Sequence, residues 1–281
     1  MVKLALIQAS CGENPQKNLA RSITFIEEAV SRGGQIICLQ ELFQTTYFCR
    51  EINRDFFKWA ESIPGPSTEQ LASVAKKHGI VILAPLFEKA RAGVYFNSLV
   101  VIDADGSLMG TYRKMHIPDD PGFYEKYYFT PGDNGYQVYD TAFGKIAPLI
   151  CWDQWYPEAA RIAALKGADL LVYPTAIATL PHENREEKRV YRDAWQTIQR
   201  SHAIANGCFV ASVNRVGTEG GSEFWGHSFV AGPFGEVLEE AGEEEEILIA
   251  EIDYDKIEEQ RQEWPFFRDR RIDSYRDILD R

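Results

Sequence analysis

Three residues that could perform chemistry each follow an apolar run of the sequence. Glu41 comes after QIICLQ, Lys114 after a run that ends in GTYR, and Cys151 after KIAPLI. Ligand sites of α/β proteins collect at strand ends, where such side chains would meet. A thiol attacks a carbonyl carbon, a carboxylate takes its proton, and an ammonium stabilises the oxyanion. Together these residue types indicate cysteine-dependent acyl transfer.

Each of the three residues also has an ordinary structural interpretation. A cysteine that closes a buried strand is commonly an inert core residue. Glu41 could be an acid at a helix N-terminus, and an isolated lysine such as Lys114 usually lies in solvent. Because composition and spacing do not show that the side chains converge, both interpretations stay open at this level.

The composition describes a chain that can bury one sizeable core. It has 281 residues, of which 45% are hydrophobic and 26% charged, which excludes a disordered protein and a membrane bundle. There are 42 acidic and 30 basic residues, a formal net charge of −12. We therefore expect no nucleic-acid partner, because such a surface would be basic. We expect no membrane partner either, because no apolar run approaches about 18 residues.

The cysteines and histidines give no sign of a disulfide or metal site. The five cysteines are odd in number and widely spread, without a CxxC pair, which disfavours a disulfide framework or a zinc ribbon. The five histidines lack a ligand spacing such as HExxH, so we expect no metal and no cofactor. The N-terminal run is too short, and soon too polar, for a signal peptide, and the expected location is the cytoplasm.

Strand-like and helix-like segments alternate along the chain. Hydrophobic periodicity predicts helices over residues 15–32, 67–78, 154–166 and 183–205, and strands over 2–9, 35–40, 80–87, 97–102, 145–151, 170–173, 208–214, 226–231 and 247–252. A turn at 103–106 predicts a hairpin with a return strand through Tyr112. This pattern predicts one mixed α/β domain over 1–281 with helices on its outer faces. The aromatic, arginine-rich tail, about 262–281, is expected to pack on the body or on a neighbouring subunit.

Three segments resemble the signature regions of a known enzyme family. LQELF (39–43), YRKMHIP (112–118) and ICWDQWYPE (150–158) are similar, in this order, to those of the nitrilase superfamily, the carbon–nitrogen hydrolases. The resemblance covers nearly the whole chain and places Glu41, Lys114 and Cys151 on the family's Glu–Lys–Cys triad. It implies a four-layer α-β-β-α sandwich and a homodimer or larger homo-oligomer.

The resemblance also implies a role for each residue of the triad. Glu41 is the expected proton acceptor, Cys151 the nucleophile that forms a thioester, and Lys114 the oxyanion-binding group and proton donor. The backbone N–H of Trp152 is the expected second oxyanion donor. A helix that starts just after Cys151 would favour the thiolate through its N-terminal dipole.

A second glutamate is expected beside the triad. Glu125, in YEKYYFTPGD, matches an additional glutamate of many amidase members of the family. Its implied role is auxiliary, because it would hold Lys114 and the substrate nitrogen in line. The alternative is a surface ion pair with Lys126.

The same resemblance indicates a class of substrate. The segments HIPDDPGFYEKYYFTPGD and YPTAI look most like the branch that hydrolyses N-carbamoylputrescine to putrescine, carbon dioxide and ammonia. This implies a small cationic carbamoyl-amine substrate and a place in polyamine synthesis. In hydrolases of carbamoyl amino acids, arginines after the Cys-x-Asp hold a carboxylate, and here Gln154 and Trp155 occupy those places.

The residues that would anchor the substrate amine are less well defined. A cationic tail requires carboxylates and aromatic faces, for which the candidates are Tyr47, Asp119, Trp152 and Glu183. Asp119 could instead cap a turn, Glu183 could be a first-turn acid of a helix, and Tyr47 could be a packing residue. Relatives of this branch can carry an acid soon after YPTAI, whereas here LPH precedes Glu183.

Other functions remain open on the sequence. Within the superfamily they are an N-carbamoyl-β-alanine hydrolase, an ω-amidase or a nitrilase, and the absence of an arginine pair after Cys151 disfavours the first. From another class, the chain could be a non-catalytic scaffold, which would not need three polar groups in one pocket. A papain-like protease would require a histidine base near Cys151, and no matching motif is present.

Overall fold

The first part of the chain alternates strands with two long helices. The computed structural model describes residues 1–280. Its first elements are β1 (Val2–Gln8), α1 (Pro15–Ser31), β2 (Ile36–Leu39), α2 (Pro66–His78), β3 (Val81–Arg91), β4 (Val94–Ile102) and β5 (Leu108–Arg113). Two 3-10 helices, Phe48–Arg50 and Arg54–Trp59, lie in the long connection between β2 and α2.

The second part repeats this alternation with shorter strands. Its elements are α3 (Glu125–Tyr128), β6 (Tyr139–Thr141), β7 (Gly144–Pro148), α4 (Pro157–Leu165), β8 (Leu170–Pro174), β9 (Ala178–Thr179), α5 (Arg185–Asn206), β10 (Phe209–Val213), β11 (Val216–Glu219), β12 (Ser222–Trp225), β13 (Phe229–Ala231), β14 (Val237–Glu240), β15 (Glu246–Ile252) and α6 (Asp255–Glu263). Three 3-10 helices, Cys151–Trp155, Ile272–Ser274 and Arg276–Leu279, complete it.

These strands form two six-stranded sheets and one small sheet. The first has the order β15-β1-β2-β3-β4-β5, the second β14-β13-β10-β8-β7-β6, and the small one β11-β12-β9. In the first sheet β1, β2 and β3 are parallel, while β4 is antiparallel to both β3 and β5. Strands β2 and β5 therefore run in the same direction and end at the same edge. The residues that follow these strands, Glu41 and Lys114, therefore lie at the same edge of the first sheet.

The two large sheets face each other and are covered by helices. In β1, Leu4 and Leu6 join the core between the sheets, whereas Ala5 and Ile7 join the core beneath α1 and α2. This follows from the two-residue period of a strand. Helices α4 and α5 close the second sheet through buried alanines and Trp195. The result is the four-layer α-β-β-α sandwich that the family resemblance implied, and that prediction is confirmed.

Several predicted boundaries differ from the structure. The helix predicted over 154–166 is a 3-10 turn, Cys151–Trp155, followed by α4. Pro157 begins α4 because its fixed φ and missing N–H suit a first helical position. The strand predicted over 145–151 ends at Pro148, and β12 lies just before the strand predicted over 226–231. In the part of the chain that the structure describes, no helix combines the length and apolar character needed to cross a bilayer.

The C-terminal tail packs on the body only at its start. After α6, the Trp264 ring lies edge-on against Phe234, with the centroids 5.2 Å apart. The Phe267 ring lies beneath the guanidinium groups of Arg161 and Arg261. Further along, the apolar side chains of Ile272, Ile278 and Leu279 are exposed.

The glycines that end α2 and α5 allow a test of how closely α6 packs against the end of α5. Gly79 ends α2 and Gly207 ends α5, both in the left-handed region. A Cβ at Gly79 would meet nothing within 4 Å, whereas at Gly207 it would lie 2.1 Å from Oε1 of Gln260 in α6. We expect Gly79→Ala to lower the free energy of unfolding by about 1 kcal/mol, and Gly207→Ala by more, because the buried Gln260 side chain must also move. Urea denaturation measures both losses, and equal values would contradict this close contact.

Candidate active site

The acid and the ammonium predicted from the sequence meet in the interior. Nζ of Lys114 donates to Oε1 of Glu41 at 2.8 Å and to Oε2 of Glu125 at 2.7 Å. The side chains of Lys114 and Glu41 are fully buried, and that of Glu125 nearly so. An ammonium has three donors, so one remains after these two bonds. The burial of Glu125 rules out the alternative of a surface pair with Lys126.

One carboxylate oxygen of Glu41 accepts hydrogen bonds, and the other accepts none from the described residues. Oε1 accepts a second hydrogen bond, from Nδ2 of Asn97 at 2.7 Å, while Oε2 is buried and has no partner within the described residues. A buried carboxylate oxygen without a partner is costly and is ready to accept a proton. The sequence analysis missed Asn97. The sequence feature that could have indicated Asn97 is a polar pair, Asn97 and Ser98, within the otherwise apolar strand VYFNSLVVI.

Cys151 lies in a strained turn that Asp153 holds. Its φ is +43°, an uncommon value for a residue with a side chain that is tolerated only where the surroundings fix it. Asp153 Oδ2 accepts from the Ile150 N–H at 3.0 Å and from the Tyr112 hydroxyl at 2.7 Å, and Oδ1 accepts from the His116 N–H at 3.1 Å. Asp153 thereby joins the turn of Cys151 to the segment that carries Lys114.

The surroundings of Cys151 disfavour ionisation of its thiol. Burial raises its pKa well above the ordinary value, the charge of Glu41 raises it further, and Lys114 only partly opposes both. The helix expected just after Cys151 is a 3-10 turn, Cys151–Trp155, and α4 begins only at Pro157. A thiol with a raised pKa would need a base to take its proton before it could attack a carbonyl carbon.

The pKa values of Lys114 and Glu125 are both raised, but for different reasons. Burial alone would lower the pKa of Lys114, but the carboxylates of Glu125 and Glu41 outweigh it and raise that pKa well above its usual value. Burial raises the pKa of Glu125 to about 7, even though Lys114 opposes the change. The Tyr47 hydroxyl donates to Oε1 of Glu125 at 2.8 Å. Lys114 is thus a permanent cation, and Glu125 titrates near neutral pH.

A cavity of about 360 Å³ leads to the sulfur of Cys151, a residue that is 6% exposed. Its walls are mostly apolar and aromatic, and its acidic residues other than Glu125 are Asp120 and Glu183; the lining includes Pro118, Phe123, Trp152, Trp155, Ile177, Leu180, Tyr191 and Trp225. None of the described residues that line it is an arginine or a lysine. This agrees with the sequence, which showed no carboxylate clamp after Cys151.

The structure brings only some of the predicted binding residues to this cavity. Trp152 and Glu183 line it, and Oε2 of Glu183 also accepts from the Leu180 N–H at 2.7 Å. Tyr47 does not line the cavity, but its hydroxyl donates a hydrogen bond to Glu125, which does. Asp119 and Asp120 are both exposed, but only Asp120 lines the cavity. The sequence missed Asp120 because two adjacent aspartates give no sign of which one borders a cavity.

The side chain of Gln154 is held by hydrogen bonds inside the protein. Its buried Oε1 accepts from the Trp195 indole at 2.8 Å and from the Thr175 hydroxyl at 3.2 Å. These bonds tie the turn after Cys151 to α5 and to the end of β8. Among residues 1–280, no three His, Cys, Asp or Glu side chains are grouped so that they could hold a metal ion.

Comparisons with known proteins agree with this geometry. A family model described as carbon-nitrogen hydrolase matches residues 3–262. The chain is 43% identical to the N-carbamoylputrescine amidase of Solanum lycopersicum, over 99% of this chain and 95% of the relative. It is 41% identical to a citrullinase of Francisella tularensis, over 99% and 98%. The crystal structure of a carbon-nitrogen hydrolase from Helicobacter pylori G27 superimposes with a TM-score of 0.97 at 47% identity, over 100% of this chain and 99% of that one.

Replacing Glu125 should remove a pH dependence of stability. Its pKa is about 7 in the folded protein and about 4.3 in an unfolded chain. Folding therefore favours the protonated form, and this contribution is complete below the unfolded pKa and is lost as the pH rises through 7. We expect the unfolding free energy of the wild type, relative to Glu125→Gln, to fall between about pH 4.5 and about pH 8. Urea denaturation across this range measures it, and a constant difference would contradict the raised pKa.

Proposed function

Because the chain belongs to the carbon-nitrogen hydrolase family, we propose that it hydrolyses N-carbamoylputrescine to putrescine, carbon dioxide and ammonia. The chain is a hydrolase of carbon–nitrogen bonds other than peptide bonds. One observation carries the mechanism: Lys114 bridges Glu41 and Glu125, the buried Oε2 of Glu41 has no partner among the described residues, and the charges of all three groups act on the thiol of Cys151. This activity would place the enzyme in polyamine synthesis.

The first half of the reaction uses each member of this network. Oε2 of Glu41 takes the proton of Cys151 as the sulfur forms a bond to the ureido carbon. The carbonyl oxygen becomes an oxyanion, which the remaining N–H of Lys114 and the backbone N–H of Trp152 stabilise. When the oxyanion collapses, the bond from carbon to the terminal nitrogen breaks. Glu41 returns its proton to that nitrogen, and ammonia leaves.

The second half regenerates the thiol. The remaining acyl group is bound to Cys151 as a thioester that carries the diamine nitrogen. Glu41 takes a proton from water, whose oxygen forms a bond to the acyl carbon. The carbon–sulfur bond then breaks, and the proton on Glu41 returns to the sulfur. The released carbamic acid decomposes to putrescine and carbon dioxide.

The cavity suits a cationic chain of this kind. Asp120 and Glu183 are the acids of its lining other than Glu125, and aromatic side chains such as Phe123 and Trp225 face the same space. A protonated amine is attracted both by carboxylates and by aromatic faces. We therefore assign the amine end of the substrate to the Asp120 and Glu183 side of the cavity.

A specific observation favours a ureido amino acid such as citrulline as a second candidate. A further cavity of about 300 Å³ shares Pro121, Leu180 and His182 with the first. Arg50 lines it, and within residues 1–280 its guanidinium makes neither an ion pair nor a hydrogen bond. A free guanidinium suits a carboxylate, which citrulline has and N-carbamoylputrescine lacks.

We also propose a homodimer or a larger homo-oligomer. The outer helices α4 and α5 expose apolar side chains, namely Ile162, Leu165, Val190 and Tyr191. Exposed apolar side chains gathered on one outer layer are typical of a surface that another protein chain covers.

Removal of the nucleophile or the base should abolish turnover. We expect Cys151→Ala and Glu41→Gln to reduce ammonia release from N-carbamoylputrescine by about 10³-fold or more, because attack requires both the thiol and the proton acceptor. Cys208→Ala is the control, since Cys208 is also fully buried but lies outside the cavity lining. Undiminished ammonia release by folded Cys151→Ala would refute the mechanism.

Substitutions in the two cavities should separate the two substrate candidates. We expect Asp120→Asn and Glu183→Gln to raise KM for N-carbamoylputrescine about tenfold, while the control Asp119→Asn, outside the cavity lining, leaves it unchanged. If citrulline is the substrate, Arg50→Gln should lower kcat/KM for citrulline alone. Steady-state ammonia assays measure these constants. Faster turnover of N-carbamoyl-β-alanine or of an ω-amide than of either candidate would overturn the substrate assignment.

A further inference from the structure

The loop that carries Glu41 requires external support. Residues 41–47 connect β2 to the first 3-10 helix and supply two groups of the site, the carboxylate of Glu41 and the hydroxyl of Tyr47. Leu42 adopts a φ of +50°, which costs energy for a residue with a branched side chain. Neither a helix nor a strand satisfies the carbonyl groups of this buried loop, so other donors must do so.

Arg215 supplies those donors from the distant segment that joins β10 to β11. Nη2 donates to the carbonyl oxygens of Glu41 and Leu42, both at 3.0 Å, and Nη1 donates to that of Thr45 at 2.8 Å. Its side chain has no exposed surface. A single planar guanidinium therefore fixes three carbonyl groups of the loop, a geometry that a lysine cannot reproduce.

Glu219 completes this arrangement. Its Oε1 accepts from Nη1 of Arg215 at 2.7 Å, and its Oε2 accepts from the backbone N–H of Tyr47 at 2.5 Å. The pair thus holds the loop at both ends, by the carbonyl of Glu41 and by the N–H of Tyr47. Neither residue lines the cavity of Cys151, and their side-chain hydrogen bonds are to the backbone of the loop and to each other.

We propose that Arg215 and Glu219 are positioning residues of the reaction. They fix the loop that carries Glu41, whose free oxygen is the proposed acceptor of the Cys151 proton, and Tyr47, which holds Glu125. A buried ion pair adds little net stability after the cost of desolvation, whereas a small displacement of a catalytic group strongly reduces the rate. This inference rests on the proposed roles of Glu41 and Cys151, but it does not depend on the identity of the substrate.

Two conservative variants test the proposal. Arg215→Lys keeps the charge but cannot bind three carbonyl groups, and Glu219→Gln keeps the size and the acceptor for Arg215 but removes the charge. Arg161→Lys is the matched control, because Arg161 also donates to a backbone carbonyl, that of Ala205, away from the site. We expect both variants to lower kcat on the order of 10²-fold with KM nearly unchanged, and the control to change neither.

A second readout is independent of the substrate. The rate at which iodoacetamide alkylates Cys151 reports removal of the thiol proton, and we expect it to fall in both variants and not in the control. If the wild type does not hydrolyse N-carbamoylputrescine, the substrate proposal fails, and alkylation still tests the positioning role.

The melting temperature separates positioning from stability. Folded Arg215→Lys and Glu219→Gln with slow kcat and slow alkylation would support the proposal. Wild-type rates in either folded variant would overturn it, as would a rise in KM at unchanged kcat. If both variants fail to fold, the pair serves stability, and the proposal is equally overturned.

Discussion

The rest of the structure depends on one interaction, the pair of ion pairs that the buried ammonium of Lys114 forms with two carboxylates. Taking these charges out of water is expensive and is tolerated only with close partners of opposite sign. The distances of 2.8 and 2.7 Å to Glu41 and Glu125 provide such partners. This network leaves one donor of Lys114 and one oxygen of Glu41 free. In a site of low polarity, those two unfilled positions define where an oxyanion and a proton can go.

The fold supplies this network by joining segments that are distant in sequence. The directions of β2 and β5 bring Glu41 and Lys114 to one edge of the first sheet, and the facing second sheet delivers Cys151 after β7. Buried side chains then fix the irregular backbone that carries them. Asp153 holds the turn of the cysteine, and Arg215 holds the loop of the base. Asp153 and Arg215 are both ionisable residues, and neither lines the cavity of Cys151.

Much of this arrangement could be predicted from the sequence, because apolar runs mark the strands and the three signature segments mark the triad. The side-chain environment could not. That Asp120 lines the cavity and Asp119 does not depends on the conformation of a loop, and the contact of Asn97 with Glu41 depends on which face of β4 Asn97 occupies. The raised pKa of Cys151 could not be predicted either, because burial, its largest cause, is a property of the packed structure.

The central claim is that a neutral thiol transfers its proton to Glu41 during attack. The most direct test is the ultraviolet absorbance of the thiolate, titrated as the difference between the wild type and Cys151→Ala. The account predicts no thiolate signal from Cys151 at neutral pH, and a titration above the value of about 8.5 for a free cysteine. A full thiolate signal at neutral pH would contradict it, because Glu41 would then have no proton to accept from the sulfur.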